Sequence, residues 1–238
     1  MSVAPTIPII TIDGPSGAGK GTIARAVART LGWHLLDSGA LYRLAAMASR
    51  SAGIGLTDVD RVAQVASAMA AEFGSTPDGE ELIRLSGHDV TRELRTEEAG
   101  RSASVVAQHP PVRAALVGRQ RAFARPPGLV ADGRDMGTVI FPEAGLKVFL
   151  TAGAEERAHR RYKQLKDKGI DASLAALFLE ITERDKRDST RAVAPLRPGD
   201  DAVVLDSTRL TIDEVVERVL GLAEQRGYWV GRQGKPKS

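Results

Sequence analysis

The sequence predicts an α/β fold in which a buried parallel β-sheet is flanked by helices. Two observations lead to this prediction: five short apolar runs recur along the chain, and longer helical patterns separate them. Continuous apolar strands that alternate with helices are typical of βαβ units, whose strands are buried on both faces. The predicted strands are residues 8–13, 34–37, 129–132, 147–151 and 203–206.

Four of these five runs end in Asp. In open parallel sheets the ligand site lies at the carboxyl ends of the strands. The aspartates therefore indicate where the chemistry of this chain takes place.

Local signals mark the ends of two helices. The helix that follows the first strand is predicted to stop at Gly32, because glycine favours the left-handed conformation of a helix end. Thr211 and Glu214 form a capping-box pattern that begins another helix. Gly227 is predicted to end that helix, and residues 228–238 form a basic tail that we interpret as solvated.

Two stretches depart from this pattern. Within residues 71–90, a stretch rich in turn residues precedes the alternating segment 81–90, which predicts a small antiparallel hairpin inserted into the parallel fold. Residues 184–198 are rich in Arg and Asp and poor in apolar residues. We expect them to form a mobile loop after a helix.

The composition excludes several classes of protein. The 238 residues are 42% hydrophobic and 26% charged, as in ordinary globular domains, and the net charge is only +3. The absence of cysteine excludes disulfides, thiolate catalysis and zinc–thiolate sites. Apolar runs reach roughly six residues, far short of the ~18 that cross a bilayer. We expect a cytoplasmic protein without nucleic-acid or membrane partners.

A glycine-rich segment directly follows the first strand and fits the pattern G-x-x-x-x-G-K. Its glycines allow backbone N–H groups to turn toward phosphate oxygens at the start of a helix. The lysine would bridge the β- and γ-phosphates of ATP. The predicted ATP-binding residues are Gly14, Pro15, Ser16, Gly17, Ala18, Gly19, Lys20, Gly21 and Thr22.

The phosphate loop carries Gly21 where the general motif has the Ser or Thr that binds Mg²⁺. This variant resembles the loop of nucleoside monophosphate kinases such as adenylate kinase. In those kinases Mg²⁺ is held largely through water and a carboxylate. We expect Asp132 to be that carboxylate, with no direct metal ligand in the protein; alternatively, Asp132 caps the next turn.

Other classes of phosphate-loop protein fit less well. The chain contains no asparagine and so lacks the Asn-Lys-x-Asp motif of GTPases. A small kinase must hold a second anion beside ATP, and arginine matches phosphate in a bidentate geometry. Arginines with this potential role follow the predicted strand ends or lie further along the chain: Arg43, Arg134, Arg157, Arg160, Arg161, Arg184, Arg187 and Arg191.

Four blocks resemble bacterial cytidylate kinases, in the order and spacing of that family. They are residues 12–22 (IDGPSGAGKGT), 33–40 (WHLLDSGA) followed by Tyr42 and Arg43, 132–138 (DGRDMGT), and 183–195 with its ERD and RAVAP segments. The resemblance covers residue 9 to about residue 207, and the 71–90 hairpin resembles the family's monophosphate-binding insert.

The resemblance implies a P-loop NTPase-type sheet with a small insert and a short lid, all in one kinase domain. The core would comprise about 6–66, 109–156 and 196–226. The insert would comprise about 67–108, the lid about 157–195 and the tail about 227–238.

The resemblance also assigns roles to individual residues. Arg157, Arg160 and Arg161 would close over the phosphates of ATP. The catalytic residues would be Lys20, Asp132, Arg134 and Arg191. The acceptor nucleotide would be bound by Ser38, Tyr42, Arg43, Ser104, Arg113, Arg134, Asp135, Arg184, Asp188 and Arg191, with Ser104 and Asp135 at the cytosine.

The implied reaction is the Mg²⁺-dependent transfer of a phosphoryl group from ATP to CMP or dCMP by a monomeric enzyme. Two alternatives stay open at this point. The acceptor could be another monophosphate or a small hydroxyl compound, or the chain could be a binding module that uses ATP as a switch. Asp135 could also pair with a neighbouring arginine to hold its loop.

Overall fold

The computed structural model describes residues 7–78, 81–167, 169, 171–191 and 193–228. The chain divides into two compact units: Met1–Leu36 with Phe123–Ser238, and Asp37–Ala122. The strands are β1 (Ile9–Asp13), β2 (His34–Asp37), β3 (Ala71–Ser75), β4 (Glu81–Leu85), β5 (His88–Asp89), β6 (Leu129–Gly133), β7 (Leu146–Thr151) and β8 (Val203–Asp206). The helices are α1 (Lys20–Leu31), α2 (Ser38–Ser51), α3 (Val59–Ala68), α4 (Glu97–Val106), α5 (Pro110–Arg121), α6 (Ala154–Asp167), α7 (Leu174–Ser189) and α8 (Ile212–Gln225).

The first unit is built on a five-stranded sheet in the order β2-β6-β1-β7-β8. Strand β1 pairs in parallel with both β6 and β7, and β8 pairs in parallel with β7. In this register Asp13 lies opposite Gly133, so the ends of β1 and β6 are level. All five predicted strands, and the α/β fold, are confirmed.

The core of the first unit lies between the sheet and its helices. Ile10 and Ile12 of β1 are completely buried, and Val27 of α1 and Val219 of α8 are buried in the same cluster. The predicted helix ends are also confirmed. Helix α1 ends at Gly32 in the left-handed conformation, and the capping box of Thr211 and Glu214 begins α8.

Helix α8 ends at Gln225, and Gly227 has a positive φ of 70° two residues later. Of the predicted basic tail, Tyr228 is described and packs against Trp33, with their ring centroids 5.7 Å apart. Residues 229–238 lie outside the described residues. In the part of the chain that the structure describes, no helix has the length and apolarity needed to span a membrane.

The second unit contains helices α2 to α5 and a small antiparallel sheet in the order β3-β4-β5. The predicted hairpin is confirmed as the pair β3–β4, in which Phe73 lies opposite Ile83, and β5 adds a third short strand. Ile83 is fully buried and anchors the small sheet. In β4, Ile83 and Leu85 are buried and Arg84 between them is exposed, so one face of this small sheet is covered.

The predicted mobile loop at residues 184–198 is wrong in its first part. Helix α7 extends to Ser189, so residues 184–189 are helical. The helix continues because Ile181 and Asp188 are buried on one face of it, which the dense charge of this segment concealed. Helices α6 and α7 share a small apolar cluster, separate from the core beneath the sheet, that contains Ala158, Leu165, Leu177 and Ile181.

Candidate active site

The phosphate loop turns sharply between β1 and α1. Gly14 has a φ of 150°, and a Cβ at this position would lie 1.9 Å from the backbone oxygen of Leu150, so only glycine fits. Gly19, with a φ of 92°, is the N-cap residue of α1, and no side chain caps the helix. The N–H of Thr22 bonds to the backbone oxygen of Gly19 at 3.1 Å, so the N–H groups before it are those placed to bind an anion, and the helix dipole adds partial positive charge.

Lys20 begins α1 and is buried. Its Nζ donates a hydrogen bond to the backbone oxygen of Pro15 at 2.8 Å. Burial and, after it, the positive charge of Arg134 lower the pKa of Lys20 to about 7, against the opposing effect of Asp132. The low pKa therefore follows mainly from burial, and bound phosphates would favour the charged form of the lysine.

Asp132 lies on β6 beside the phosphate loop. A Cβ on Gly21 would be 3.3 Å from Oδ2 of Asp132, so the missing side chain of Gly21 leaves room next to this carboxylate. Within the described ranges, no group of three or more His, Cys, Asp or Glu residues is placed to hold a metal ion. A single carboxylate fits Mg²⁺, which keeps several waters and binds substrate phosphates.

A cluster of arginines surrounds Asp188 of α7. Nε of Arg134 donates to Oδ2 of Asp188 at 3.1 Å, and Nε of Arg191 donates to the backbone oxygen of Asp188 at 3.2 Å. Burial alone raises the pKa of Asp188, but Arg134, Arg184 and Arg191 outweigh it and hold the pKa below its ordinary value. The structure brings these four predicted acceptor residues together.

The three predicted lid arginines lie on α6 and have different surroundings. Arg157 is buried and donates to the backbone oxygens of Ala152 and Ser16, both at 2.9 Å, and to Asp185 at 2.5 Å. Arg157 therefore connects Ser16 of the phosphate loop to Asp185 of helix α7. Arg160 donates to Glu156 and to the backbone oxygen of Ser207, and Arg161 lies 3.5 Å from Gln164.

Sequence reasoning counted Asp13, the last residue of β1, among the aspartates at strand ends but gave it no role of its own. Its two carboxylate oxygens accept hydrogen bonds from the backbone N–H groups of Met136 and Gly137, each at 2.8 Å. Burial raises the pKa of Asp13 to about 7, and the two backbone hydrogen bonds oppose that rise. Asp135, next to this contact, is buried as well. The signal in the sequence was an aspartate immediately before Gly14, at the end of a buried strand.

In the second unit, three predicted acceptor residues lie at the start of α2: Ser38, Tyr42 and Arg43. Asp37 is the N-cap residue of α2 and accepts a hydrogen bond from the N–H of Ala40 at 3.0 Å. NH1 of Arg43 lies 4.0 Å from Oδ2 of Asp37. Burial raises the pKa of Asp37, but the charges of Arg43 and Arg95 outweigh it and leave that pKa below its ordinary value.

Ser104 and Arg113 lie on α4 and α5 of the same unit. The guanidinium of Arg113 stacks over the ring of Tyr42, 5.8 Å from its centroid. The Oγ of Ser104 is buried and has no hydrogen-bond partner among the described residues. A buried hydroxyl without a partner is costly, which is consistent with a ligand that completes it.

A parallel sheet, a glycine-rich phosphate loop with a buried lysine, and an arginine cluster define this chain as a P-loop kinase of a small acceptor. Two comparisons with known proteins identify the family. A family model described as cytidylate kinase matches residues 10–225. The cytidylate kinase of Azotobacter vinelandii is 58% identical over 221 residues, which cover 92% of this chain and 96% of that protein. The chain belongs to the cytidylate kinase family, which confirms the resemblance seen in the sequence.

A second relative agrees with this. The cytidylate kinase of Pseudomonas paraeruginosa is 57% identical over 224 residues, covering 93% of this chain and 97% of that protein. Among solved structures, a gluconokinase from Sinorhizobium meliloti is 17% identical with a TM-score of 0.46, covering 94% of this chain and 98% of that one.

Proposed function

We propose that this protein transfers the γ-phosphoryl group of ATP directly to CMP or dCMP, with the arginine cluster around Asp188 stabilising the transition state. Phosphorylation of CMP by ATP follows from membership of the cytidylate kinase family. The use of dCMP and the roles of single residues are our proposals. The observation that supports them best is the arginine cluster, which includes Arg134, whose charge also acts on Lys20 of the phosphate loop.

The phosphate loop and Lys20 would bind ATP. The N–H groups at the start of α1 would take phosphate oxygens, and Lys20 would exchange its bond to Pro15 for the β- and γ-phosphates. Arg157 would support the phosphate loop by donating a hydrogen bond to the backbone oxygen of Ser16. When bound, Mg²⁺ supplies positive charge that neutralises the phosphates, and Asp132 would hold it through water.

At the acceptor, catalysis depends on positive charge from the protein more than on proton transfer. The second pKa of a phosphate monoester is near 6, so the attacking oxygen is already deprotonated near neutral pH. Arg134, Arg184 and Arg191 would align this dianion with the γ-phosphate and neutralise the charge that develops between them. Asp188 would orient these arginines, because it accepts from Arg134 and lies among all three charges.

Base selection is assigned to Asp135 and Ser104. Cytosine carries an amino group that a carboxylate accepts from, whereas uracil presents a carbonyl there. A uracil would leave buried polar groups without partners, at a cost of ~1–3 kcal/mol each. The buried Ser104 Oγ supports its assignment. In the second unit, the resemblance also assigns Ser38, Tyr42, Arg43 and Arg113 to the acceptor nucleotide.

Two further expectations from the sequence stay predictions: that the enzyme is a monomer and that it works in the cytoplasm. An ATP-driven switch without a small acceptor is disfavoured, because such a module has no second anion for the arginine cluster to hold.

A panel of acceptors tests the proposal. Purified protein is incubated with ATP, Mg²⁺ and either CMP, dCMP, UMP, AMP or shikimate, and ADP formation is followed. We expect CMP and dCMP to be used well and UMP to be slower by roughly 10²-fold. Rapid use of UMP would contradict the assignment of base selection, and no use of dCMP would limit the enzyme to ribonucleotides.

A further inference from the structure

Arg157 of α6 is 4% exposed and connects three parts of the first unit. Its Nε donates to the backbone oxygen of Ala152, the residue that follows β7, at 2.9 Å. Its Nη1 donates to the backbone oxygen of Ser16 in the phosphate loop at 2.9 Å, and its Nη2 donates to Oδ2 of Asp185 on α7 at 2.5 Å. A guanidinium is planar and rigid, so its donors cannot move independently of one another. A displacement of Ser16 is therefore passed on to Asp185.

The phosphate loop also packs directly on the side chain of Arg157. Gly17 has a φ of 77°, and a Cβ at this position would lie 3.3 Å from Cβ of Arg157. Ser16 and Gly17 belong to the segment whose N–H groups turn toward phosphate oxygens. Bound phosphates accept from these N–H groups and so fix the backbone of the segment. The oxygen of Ser16 that Arg157 binds is therefore held more firmly when ATP is bound.

Asp185 has no role in the function proposed above. Its side chain is 25% exposed, and its Oδ2 binds Arg157. Its Oδ1 is buried and has no hydrogen-bond partner among the described residues, so the ion pair with Arg157 is what orients this carboxylate. Asp185 directly follows Arg184 and precedes Asp188 by three residues, which places all three within about one turn of α7. The position of Asp185 therefore influences theirs.

Helix α7 is connected to the rest of its unit largely through polar contacts at its C-terminal end. Its buried apolar residues, Leu177 and Ile181, pack with α6 in the separate small cluster and not in the core beneath the sheet. Asp185 accepts from Arg157, and Asp188 accepts from Arg134 just beyond β6. One of these contacts leads to the phosphate loop, and the other belongs to the arginine cluster.

We propose that Asp185 is a positioning residue that, through Arg157, couples the ATP site to the acceptor site. Bound ATP fixes Ser16 and with it the guanidinium of Arg157. Asp185 then holds the turn of α7 that carries Arg184 and Asp188 ready for the acceptor phosphate. The inference rests on the role proposed above for the arginine cluster. CMP therefore binds more tightly when ATP is bound, and linkage requires that CMP raise the affinity for ATP by the same factor.

The test measures a coupling factor, which is the Kd of CMP without an ATP analogue divided by the Kd of CMP with it. Both constants are obtained by calorimetry, the second with saturating Mg²⁺ and the non-hydrolysable analogue adenylyl imidodiphosphate. We expect a factor of about ten in the unaltered protein, within the range typical of coupled sites. In Asp185→Ala the factor should fall to within about twofold of one, because Arg157 loses its partner on α7.

Two further variants examine the same connection. Arg157→Lys should lower the factor as much as Asp185→Ala, since a single ammonium cannot hold all three acceptors. The double variant should lose nothing more, because residues that act as a unit are not additive. Asp185→Asn keeps an acceptor oxygen for Arg157 but not the charge. A charge-assisted bond is roughly twice as strong as a neutral one, so the factor should be about three in this variant, which also serves if Asp185→Ala fails to fold.

Asp201→Ala is the matched control. It removes a carboxylate that pairs at 2.9 Å with Lys147, a largely buried cation of β7 in the same unit. The loss of this ion pair should leave the coupling factor unchanged, because neither residue belongs to the connection between the phosphate loop and α7.

The outcomes separate this inference from the proposed function. Arg134→Lys should weaken CMP binding both with and without the analogue. If it does, and Asp185→Ala keeps the coupling of the unaltered protein, the role of Asp185 is overturned and that of the arginine cluster stands. A factor of one in the unaltered protein, or a loss in Asp201→Ala as large as in Asp185→Ala, likewise overturns the role of Asp185. Normal CMP binding in Arg134→Lys overturns both proposals.

Discussion

Lys20 donates from Nζ to the backbone oxygen of Pro15 at 2.8 Å, so this hydrogen bond spans the phosphate loop. The contact joins the first residue of α1 to the second residue of the loop. An ammonium that already points across the loop needs little rearrangement to reach a phosphate held there. Pre-positioning of this kind reduces the ordering cost when ATP binds.

Removal of this ammonium should lower kcat steeply. In Lys20→Ala the loop keeps its backbone N–H groups but loses the charge that stabilises the transition state, an effect on the order of 10²–10³ in kcat. Steady-state kinetics with CMP, together with a circular dichroism spectrum, checks this. A folded variant with nearly normal kcat would contradict the assignment of the phosphate loop.

Binding of ATP should take up a proton above neutral pH. Because burial and Arg134 lower the pKa of Lys20 to about 7, the lysine is mostly neutral in the free protein at pH 8. The ATP phosphates favour its charged form and raise that pKa, so the complex holds one more proton than its parts. Near pH 6 the lysine is charged in both states, and the uptake should disappear.

Calorimetric titrations at pH 8 in two buffers of different ionisation enthalpy measure this uptake. Lys20→Arg is the control, because an arginine stays protonated in both states and should bind ATP without proton uptake. Equal uptake in the control would assign the proton to another group.

Activity with CMP should depend on the planar guanidinium of Arg134 and not on its charge alone. Arg134→Lys keeps the charge but loses the fork that binds a phosphate with two parallel bonds. We expect kcat/KM for CMP to fall at least ~10-fold, about 1.4 kcal/mol. Arg29→Lys, at an exposed position on α1 of the same unit, is the control and should not change the kinetics. The same kinetics in both variants would make Arg134 an ordinary surface cation.

Substitution of Arg95 should raise the KM for CMP more than the KM for ATP. Its guanidinium binds Oδ2 of Asp37 at 2.8 Å and also contacts Glu81 of β4, so it ties the small sheet to the cap of α2. In Arg95→Met the start of α2, which carries Ser38 and Arg43, loses that support. We expect the KM for CMP to rise about fivefold, in keeping with a partly exposed ion pair, with little change in the KM for ATP.

Arg50→Met is the matched variant, because Arg50 forms an exposed ion pair with Glu98 within the same unit. It should leave both KM values unchanged. If Arg50→Met raised the KM for CMP as much as Arg95→Met, the effect would be a general loss of stability in this unit.

Features with a local cause were predicted well from the sequence. The strands, the glycine that ends α1 and the capping box of Thr211 and Glu214 each depend on residues a few positions apart. The blocks that carry the resemblance also gave the residues that the structure brings together around Asp188.

Features with a tertiary cause were not predictable in this way. The hydrogen bond from the N–H of Met136 to the Asp13 carboxylate joins residues 123 positions apart, and no local sequence pattern indicates it. The charged end of α7 was interpreted as a loop because Asp188 and its arginines resemble a solvated segment, whereas their mutual pairing buries Asp188 within a helix.

The separate apolar cluster of α6 and α7 has a consequence for how the protein opens. These two helices bury Leu165, Leu177 and Ile181 against each other and not in the core beneath the sheet. Local unfolding free energies follow such cooperative units. In native-state hydrogen exchange, the amides of α7 should therefore exchange faster than those of β1, and nucleotides should slow them. We therefore expect bound substrates to supply part of the stability of α7, which carries Arg184 and Asp188.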